Sequence, residues 1–348
     1  MTDAQAPGEV RFAHVPVMAD EVIDWLGPVP AGLVVDATVG GAGHARRILE
    51  TYPQLDLVGL DRDPLAVRVA TERLAGFGTR ATVVHARYDS LVSVLASMPR
   101  SVRPAEVSTV SAVLFDLGVS SAQFDIGERG FSYRVDAPLD MRMDTTVGIT
   151  AADVVNTYDE RALAAVLRIY GDERFSTRIA HAIVAARPVT STAALAELVV
   201  NAIPAATRRT GGHPAKRTFQ ALRIEVNDEL RVLERALDAA IDALAPGGRC
   251  IVLAYHSGED RIVKDRFRYA ETDGCSCPPG LPCVCGALPR GRAVRRGVTR
   301  PRAAEVAVNP RAASAVARVF ERTVPAPGAG TVASLDRPEN TPLRKVRP

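Results

Sequence analysis

Short apolar runs alternate with helical patterns over the first third of the chain. The runs 33–38, 55–61, 80–87 and 111–118 are rich in Val, Ile and Leu, and helical periodicity follows each of the first three. Continuous apolar runs are typical of strands buried on both faces, and strand–helix alternation is typical of a parallel, doubly wound sheet. The pattern therefore predicts an α/β fold.

The pattern changes after residue 118. Residues 119–148 are rich in turn-forming residues, and four helical segments then follow without an obvious strand. Thr150, Asp159 and Thr190 stand at expected N-cap positions of these helices. A long helical pattern over 217–244 leads into the apolar run 249–256 and resumes the alternation. We therefore expect an all-helical domain inserted into the α/β domain.

These patterns divide the chain into five parts. The ends are polar or rich in Pro and Gly and predict disordered tails. The last strand is expected within 314–323. The predicted parts are a tail at 1–10, the first part of the α/β domain at 11–124, the insert at 125–216, the second part at 217–323 with a Cys- and Arg-rich loop at 271–302, and a tail at 324–348.

Composition excludes some classes of protein. A hydrophobic content of 47% in 348 residues is ordinary for a globular chain and excludes a disordered or fibrous one. The formal charge of +3 is too small to indicate nucleic acid or an anionic membrane by itself. The chain has no signal-peptide pattern at its start and no run of 18 apolar residues. We expect a cytoplasmic protein without a membrane partner.

Polar residues end several of the predicted strands. Asp36, Asp61 and Asp116 end three of them, and Tyr255 and His256 follow the strand after the insert. Ligands of open parallel sheets bind beyond the carboxyl ends of the strands, and a buried carboxylate needs hydrogen-bond partners or a ligand. Each Asp can alternatively cap the helix that follows it.

The loop after the first strand is rich in glycine. It reads DATVGGAGH over 36–44, and Arg46 breaks the G-x-G-x-x-G spacing of dinucleotide-binding proteins. Asp61, 20 residues after Gly41, stands where an acid binds a ribose diol. An acid that can bind ribose, without the glycine spacing that binds a pyrophosphate, points to S-adenosylmethionine as the ligand. The alternatives are a tight turn without a ligand and an NAD-dependent oxidoreductase on the same fold.

Several motifs carry a family resemblance. They include HVPVM (14–18), GLDRDP (59–64), FDLGVSSAQFD (115–125), RTFQALRIEVN (217–227) and YHSGEDRIVK (255–264). With the glycine-rich loop, the sequence resembles the bacterial small-subunit ribosomal RNA (cytosine-N4)-methyltransferase family from residue 14 to about 323. The resemblance implies a Rossmann-like class I methyltransferase sheet with a helical insert and S-adenosylmethionine as cofactor. It also implies methylation of the exocyclic amine of one decoding-centre cytidine in 16S ribosomal RNA.

The resemblance also implies which residues contact the cofactor. Two residues depart from the family pattern: Ala42 stands where the family usually has Gly, and Ala122 where it usually has Pro. We expect a negative φ at residue 42 because its methyl group requires one. Tyr88 can cover the adenine face by stacking. The implied contacts are Gly41, Ala42, Gly43, His44, Asp61, Tyr88, Asp116 and Gln123.

Two residues are candidates for the chemical step. A cytosine amine is a weak nucleophile, so the enzyme must flip the base, align it with the methyl group and accept hydrogen bonds from the amine. Asp116 or a neighbouring carbonyl is the candidate acceptor. His256 is a candidate for base contact or proton acceptance, and alternatively a cleft histidine without a chemical role.

Arginines in the same motifs are candidates for RNA phosphate contacts. They can equally be solvated or paired with Asp136, Asp140, Asp144 or Glu225. The stretch 287–302, with six arginines and no acid, is suited to phosphate contacts or is a solvated flexible loop. The candidates are Arg134, Arg142, Arg217, Arg223, Arg292, Arg295 and Arg296.

Four cysteines form the pattern C-x-C-x5-C-x-C. Cys275, Cys277, Cys283 and Cys285 can bind a structural zinc ion through four thiolates, or be free or redox-paired thiols. Cys250 is expected in the core. The sequence leaves open whether the substrate is naked RNA or an assembled subunit and whether the chain forms a homodimer. It also leaves open a non-catalytic ribosome-assembly binder.

Overall fold

The computed structural model describes residues 16–98, 110–118, 127–205, 213–278 and 284–324. Its centre is a seven-stranded sheet with the order β3-β2-β1-β4-β5-β7-β6. β1 to β5 pair in parallel, and β7 is antiparallel to both β5 and β6. The predicted doubly wound sheet is confirmed. The strands are β1 Gly32–Asp36, β2 Leu55–Asp61, β3 Ala81–His85, β4 Val110–Asp116, β5 Leu244–Ala254, β6 Gly291–Ala293 and β7 Val316–Arg322.

Helices cover both faces of this sheet and form the insert. Within the described ranges, no helix is both long and apolar enough to cross a bilayer. Helices of the sheet domain are α1 Ala19–Leu26, α2 Gly43–Thr51, α3 Pro64–Leu74, α4 Leu91–Ser97, α10 Glu229–Ala243, α11 Ser257–Thr272 and α12 Ala303–Val308. Those of the insert and its link back to the sheet are α5 Ala151–Thr157, α6 Glu160–Gly171, α7 Ser176–Ala185, α8 Thr192–Ala202 and α9 Lys216–Asn227.

The core lies in two layers because alternate residues of each strand point to opposite faces. Val35 and Phe115 pack with α10 on one face, where Leu233 and Leu237 cover them. Val34 belongs to the other layer, which α1, α2 and α3 cover. Both faces of the central strands are therefore buried, which explains their continuous apolar sequences.

The insert has a hydrophobic core of its own, formed by α5 to α9 and residues 131–143. Thr150 and Asp159 cap their helices as predicted, with side chains that accept from the amides of Asp153 and Ala162. The predicted cap at Thr190 is wrong by one position. Ser191 caps α8 by accepting from the Ala194 amide, because the helix begins one residue later.

The long helix predicted over 217–244 is wrong as a single element. α9 ends at Asn227, Asp228 has a left-handed φ of 51°, and α10 starts at Glu229. Asn227 also joins the insert to the sheet domain. Its Oδ1 accepts from the Met143 amide and its Nδ2 donates to the Met141 carbonyl, while its own carbonyl accepts from Arg62 after β2 at 2.9 Å. The apolar periodicity continues through the break, so hydrophobic pattern alone did not reveal it.

Candidate functional site

A cavity of about 1050 Å³ opens at the carboxyl ends of the parallel strands. One wall comes from the loops after β1, β2 and β4, and the opposite wall comes from the insert and α9. Of the predicted residues that the structure describes, Ala42, Arg142 and Arg217 do not line this cavity. Those that line it are Gly41, Gly43, His44, Asp61, Tyr88, Asp116, Arg134, Arg223 and His256.

Backbone hydrogen bonds hold the glycine-rich loop across the sheet edge. The Val39 amide donates to the Leu60 carbonyl at 2.9 Å, and the Gly40 amide donates to Asp61 Oδ2 at 2.9 Å. The loop crosses β2 at Gly59, where a Cβ atom would lie 2.7 Å from Val39 Cγ2. Only glycine at position 59 allows this close approach.

The expected negative φ at Ala42 is wrong. Its φ is 60°, in the left-handed region, and the residue is 1% exposed just before α2. The family's usual glycine fits this conformation without strain, whereas alanine adopts it at a cost of about 1 kcal/mol. The loop therefore keeps the shape that glycine favours and accommodates the extra methyl group in the core.

Asp61 retains acceptor capacity towards the cavity. Its Oδ1 accepts from the Asp63 amide at 2.8 Å and its Oδ2 from the Gly40 amide at 2.9 Å. A carboxylate has about four lone-pair sites, so about two remain for ligand hydroxyl groups. Burial raises the pKa of Asp61 to about 6, against the two amides that favour the charged form.

Asp36 lies behind the loop and is 2% exposed. Its Oδ1 accepts from the Thr38 amide at 3.2 Å. Burial raises its pKa to about 7, and the charges of Asp116 and Asp61 add to the effect. The carboxylates of Asp36, Asp61 and Asp116 thus converge at this edge of the sheet. Asp36, the most buried of the three, has a pKa close to neutral pH.

Asp116 is held by groups on two sides. Its Oδ1 accepts from the Tyr255 hydroxyl at 2.7 Å, and His44 Nε2 lies 3.6 Å from its Oδ2. The Asp116 amide donates to Thr38 Oγ1 at 2.7 Å. The pKa of Tyr255 is well above its usual value because of burial and the neighbouring Asp116. The hydroxyl therefore remains a donor and fixes the direction of the carboxylate.

His256 is the N-cap of α11. Its Nδ1 accepts from the Glu259 amide, and Glu259 Oε2 in return accepts from the amides of Tyr255 and His256. His256 Nε2 lies 3.1 Å from Glu259 Oε1. An Nδ1 that accepts places the proton of the neutral ring on Nε2. The histidine thus orders the turn that carries Tyr255.

Tyr88 lies on the sheet side of the cavity. Its hydroxyl donates to the Glu229 carbonyl at 3.2 Å, and its ring meets Phe115 edge to face at 5.8 Å. Burial raises the pKa of its hydroxyl. These two contacts fix the ring in the wall of the cavity.

Aromatic side chains from the insert form the opposite wall. Tyr133 stacks on His213 at 4.4 Å and meets Phe219 edge to face, and Phe131 also lines the cavity. Arg223 donates two hydrogen bonds of 2.8 Å to Glu229 at the same wall. None of these aromatic residues was among the predicted site residues. The sequence signal that could have found two of them is RGFSYR over 129–134, inside the turn-rich segment 119–148.

The predicted RNA-binding arginines fall into two groups. Arg142 pairs with Asp140, one of its expected alternatives, and Arg223 pairs with Glu229. The others are exposed, although Arg217 also donates to the Asp172 carbonyl and Arg292 to Glu321. The exposed arginines are Arg134, Arg217, Arg292, Arg295 and Arg296.

Two predicted sites include residues outside the described part of the chain, namely Gln123 and Cys283. The sulfur atoms of Cys275, Cys277 and Cys285 all lie within 4.8 Å of one another. Backbone amides of Val284 and Cys285 donate to the Cys277 sulfur and lower the pKa of its thiol. Cys250 is buried in β5 as expected.

The sheet order, the antiparallel β7 and the acidic cavity at the ends of β1, β2 and β4 define a class I S-adenosylmethionine-dependent methyltransferase. The chain belongs to the MraW methylase family, whose sequence profile matches residues 11–323.

Curated relatives carry names that state a methyltransferase activity. A "Ribosomal RNA small subunit methyltransferase H" of Mycobacterium tuberculosis (strain ATCC 25618 / H37Rv) is 53% identical over 327 residues, covering 90% of this chain and 81% of the relative. Proteins of the same name from Frankia alni and Acidothermus cellulolyticus are each 54% identical. They cover 90% and 89% of this chain, and 96% and 93% of their own lengths.

Proposed function

We propose that the protein transfers a methyl group from S-adenosylmethionine to the exocyclic N4 amine of one cytidine in the decoding centre of 16S ribosomal RNA. The substrate is the RNA within the small ribosomal subunit, in the cytoplasm. The relatives' names support small-subunit ribosomal RNA as the substrate, and the sequence resemblance supports the base and its amine.

One observation carries the proposal: a single cavity is lined by the acidic strand ends and by the aromatic wall of the insert. The two sides offer different chemistry. Carboxylates and loop amides suit the polar groups of a nucleoside donor, and aromatic rings suit a base taken out of its stack. A donor and a base bound on these two walls share one space.

The sheet side fits S-adenosylmethionine. This donor supplies a methyl group on a positively charged sulfur, which needs no protein nucleophile. Asp61 has acceptor sites left for ribose hydroxyls, and the face of Tyr88 suits the adenine ring. His44 also lines the cavity, and its buried Nε2 lies 3.6 Å from Asp116 Oδ2.

We assign the acceptor of the amine hydrogen bond to Asp116. The Tyr255 hydroxyl occupies one lone pair of its Oδ1 and orients the carboxylate. A cytosine amine that donates to Asp116 gains electron density on nitrogen, and the carboxylate can receive the proton released after transfer. His256 supports this arrangement through Glu259 and the turn at Tyr255, since its Nδ1 serves as a helix cap.

The insert delivers the RNA to this wall. We assign phosphate contacts to the exposed Arg134 and Arg217, which lie within two residues of Tyr133 and Phe219 in the chain. Arg292, Arg295 and Arg296 form a second basic group at and just after β6, the edge strand of the sheet. Arg142 and Arg223 hold carboxylates and position the loop and α9 instead.

Methyl transfer from labelled S-adenosylmethionine tests the proposal. Small subunits and naked 16S RNA from a strain without the modification are incubated with the full chain, and digested RNA is analysed by mass spectrometry. We expect N4-methylcytidine at one position in the subunit sample. Label on another atom would contradict the proposed chemistry, and RNA binding without transfer would instead indicate a non-catalytic assembly factor.

A further inference from the structure

Three thiols converge at a place that the catalytic proposal does not use. Cys275, Cys277 and Cys285 bring their sulfur atoms within 4.8 Å of one another, and none of them lines the cavity. They lie in the connection between the end of α11 at Thr272 and the start of β6 at Gly291. Cys285 comes after Cys275 and Cys277 in the chain, and its sulfur reaches theirs because the connection folds back on itself.

In the described part of the connection, two apolar side chains are exposed. Val284 is 89% exposed and Leu288 is 77% exposed. Hydrogen bonds fasten the connection near its ends, from the Cys275 amide to the Thr272 carbonyl and from the Leu288 amide to Asp273 Oδ2. Small segments without an apolar core generally need a cross-link or a metal to hold one conformation.

We propose that Cys275, Cys277 and Cys285 bind a structural zinc ion. Thiolates bind zinc at about 2.3 Å, which places the sulfur atoms of a tetrahedral site about 3.8 Å apart. Sulfur atoms within 4.8 Å reach that spacing by small side-chain rotations. An all-sulfur ligand set favours zinc over hard cations such as magnesium or calcium.

The surrounding backbone supports a thiolate ligand. The amides of Val284 and Cys285 donate to the Cys277 sulfur. Amide donors to sulfur stabilise the negative charge that a metal-bound cysteine carries, and such outer contacts orient metal ligands. The same donors hold the Cys277 sulfur in the position where it meets Cys275 and Cys285.

The zinc ion would fix the entry to β6. The segment that follows the cysteines carries Arg290, which donates to Asp242, and Arg292, which donates to Glu321. A metal that joins the end of α11 to this segment limits the conformations of the basic strand at the sheet edge. Because the site lies away from the cavity, its role is structural, and it stands whether or not the catalytic proposal holds.

Metal content of the purified full chain tests the site directly. Zinc is measured by mass spectrometry of the digested protein after removal of any affinity tag. We expect about one zinc per chain, a fall to below about one tenth in Cys277→Ser, and full content in the control Cys250→Ala, whose thiol is buried in β5.

Cobalt substitution gives a second readout that needs no variant. Co²⁺ added to zinc-stripped wild-type protein should produce the thiolate charge-transfer absorption and the visible bands of a tetrahedral sulfur site. Hydrogen exchange of residues 284–293 should rise on zinc removal. Wild-type protein with neither zinc nor a cobalt spectrum would overturn the proposal, as would full zinc content in Cys277→Ser or a disulfide between these cysteines in protein purified under reducing conditions.

Discussion

Replacement of Asp36 by asparagine should stabilise the protein at alkaline pH. The carboxyl group is 2% exposed, and its pKa in the folded protein is about 7 instead of 3.8. The folded state therefore holds this proton more tightly than the unfolded chain does. By linkage, the free energy of unfolding of the wild type falls as the pH rises from about 4 to about 7, and this contribution is constant above that.

The magnitude follows from the size of the shift. A change from 3.8 to about 7 corresponds to about 4 kcal/mol at about 1.4 kcal/mol per pH unit. The side-chain amide in Asp36→Asn is neutral at every pH and keeps an oxygen that accepts from the Thr38 amide. At about pH 8, the free energy of unfolding of Asp36→Asn should exceed that of the wild type by most of this amount. At about pH 5, the difference should be about 2 kcal/mol.

Thermal unfolding at the two pH values measures the effect. We expect Tm of Asp36→Asn to exceed that of the wild type by about 5 to 10 °C at alkaline pH and by clearly less at acidic pH. Asp56→Asn is the matched control because Asp56 is exposed on β2, and its Tm should follow the wild type at both pH values. A lower Tm of Asp36→Asn at alkaline pH, or a difference that does not change with pH, would refute the reasoning.

Three further changes test the cavity. Asp61→Asn should weaken S-adenosylmethionine binding at least about tenfold by calorimetry, whereas Asp56→Asn should bind it like the wild type. The affinity of the wild type should fall as the pH drops below about 6 because Asp61 becomes protonated. Equal affinity in both variants would contradict the role of Asp61. Tyr255→Phe removes the hydroxyl that donates to Asp116 and should lower kcat about 10- to 100-fold while KM for RNA is retained. An unchanged kcat would contradict the proposal that this hydroxyl orients the carboxylate. Gly59→Ala should lower stability by about 1–3 kcal/mol through its clash with Val39, and Val39→Ala in the same chain should restore part of that stability, as measured by thermal unfolding. A double variant as unstable as Gly59→Ala would show that the loop is held in another way.

The strands were accessible to sequence analysis because burial on both faces leaves a continuous apolar signal. The run 55–61 coincides with β2, and the carboxylates that end the strands mark the edge where the cavity lies. β6 was not predicted, because its three residues follow a Cys- and Arg-rich segment and depend on pairing with β7. Such pairing is a tertiary effect that no local pattern carries.

Errors in the candidate site arose where backbone conformation or long-range pairing decides the outcome. Ala42 adopts a left-handed φ because the loop around it is fixed by amides and by Asp61, not by its own preference. Asp228 breaks a helix whose apolar periodicity is uninterrupted. Arg223 pairs with Glu229 instead of Glu225, since that break turns α10 back towards it. These three features follow from the tertiary structure.

The central claim is that donor and base meet in the cavity between the acidic strand ends and the aromatic wall. The most direct measurement is a crystal structure of the full chain with S-adenosylhomocysteine and a short cytidine-containing RNA. We predict ribose hydroxyls within about 3 Å of the Asp61 carboxylate, and the cytosine amine beside Asp116 against the wall of Phe131 and Tyr133. A donor bound outside this cavity, or a cytosine whose amine faces away from Asp116, would contradict the account.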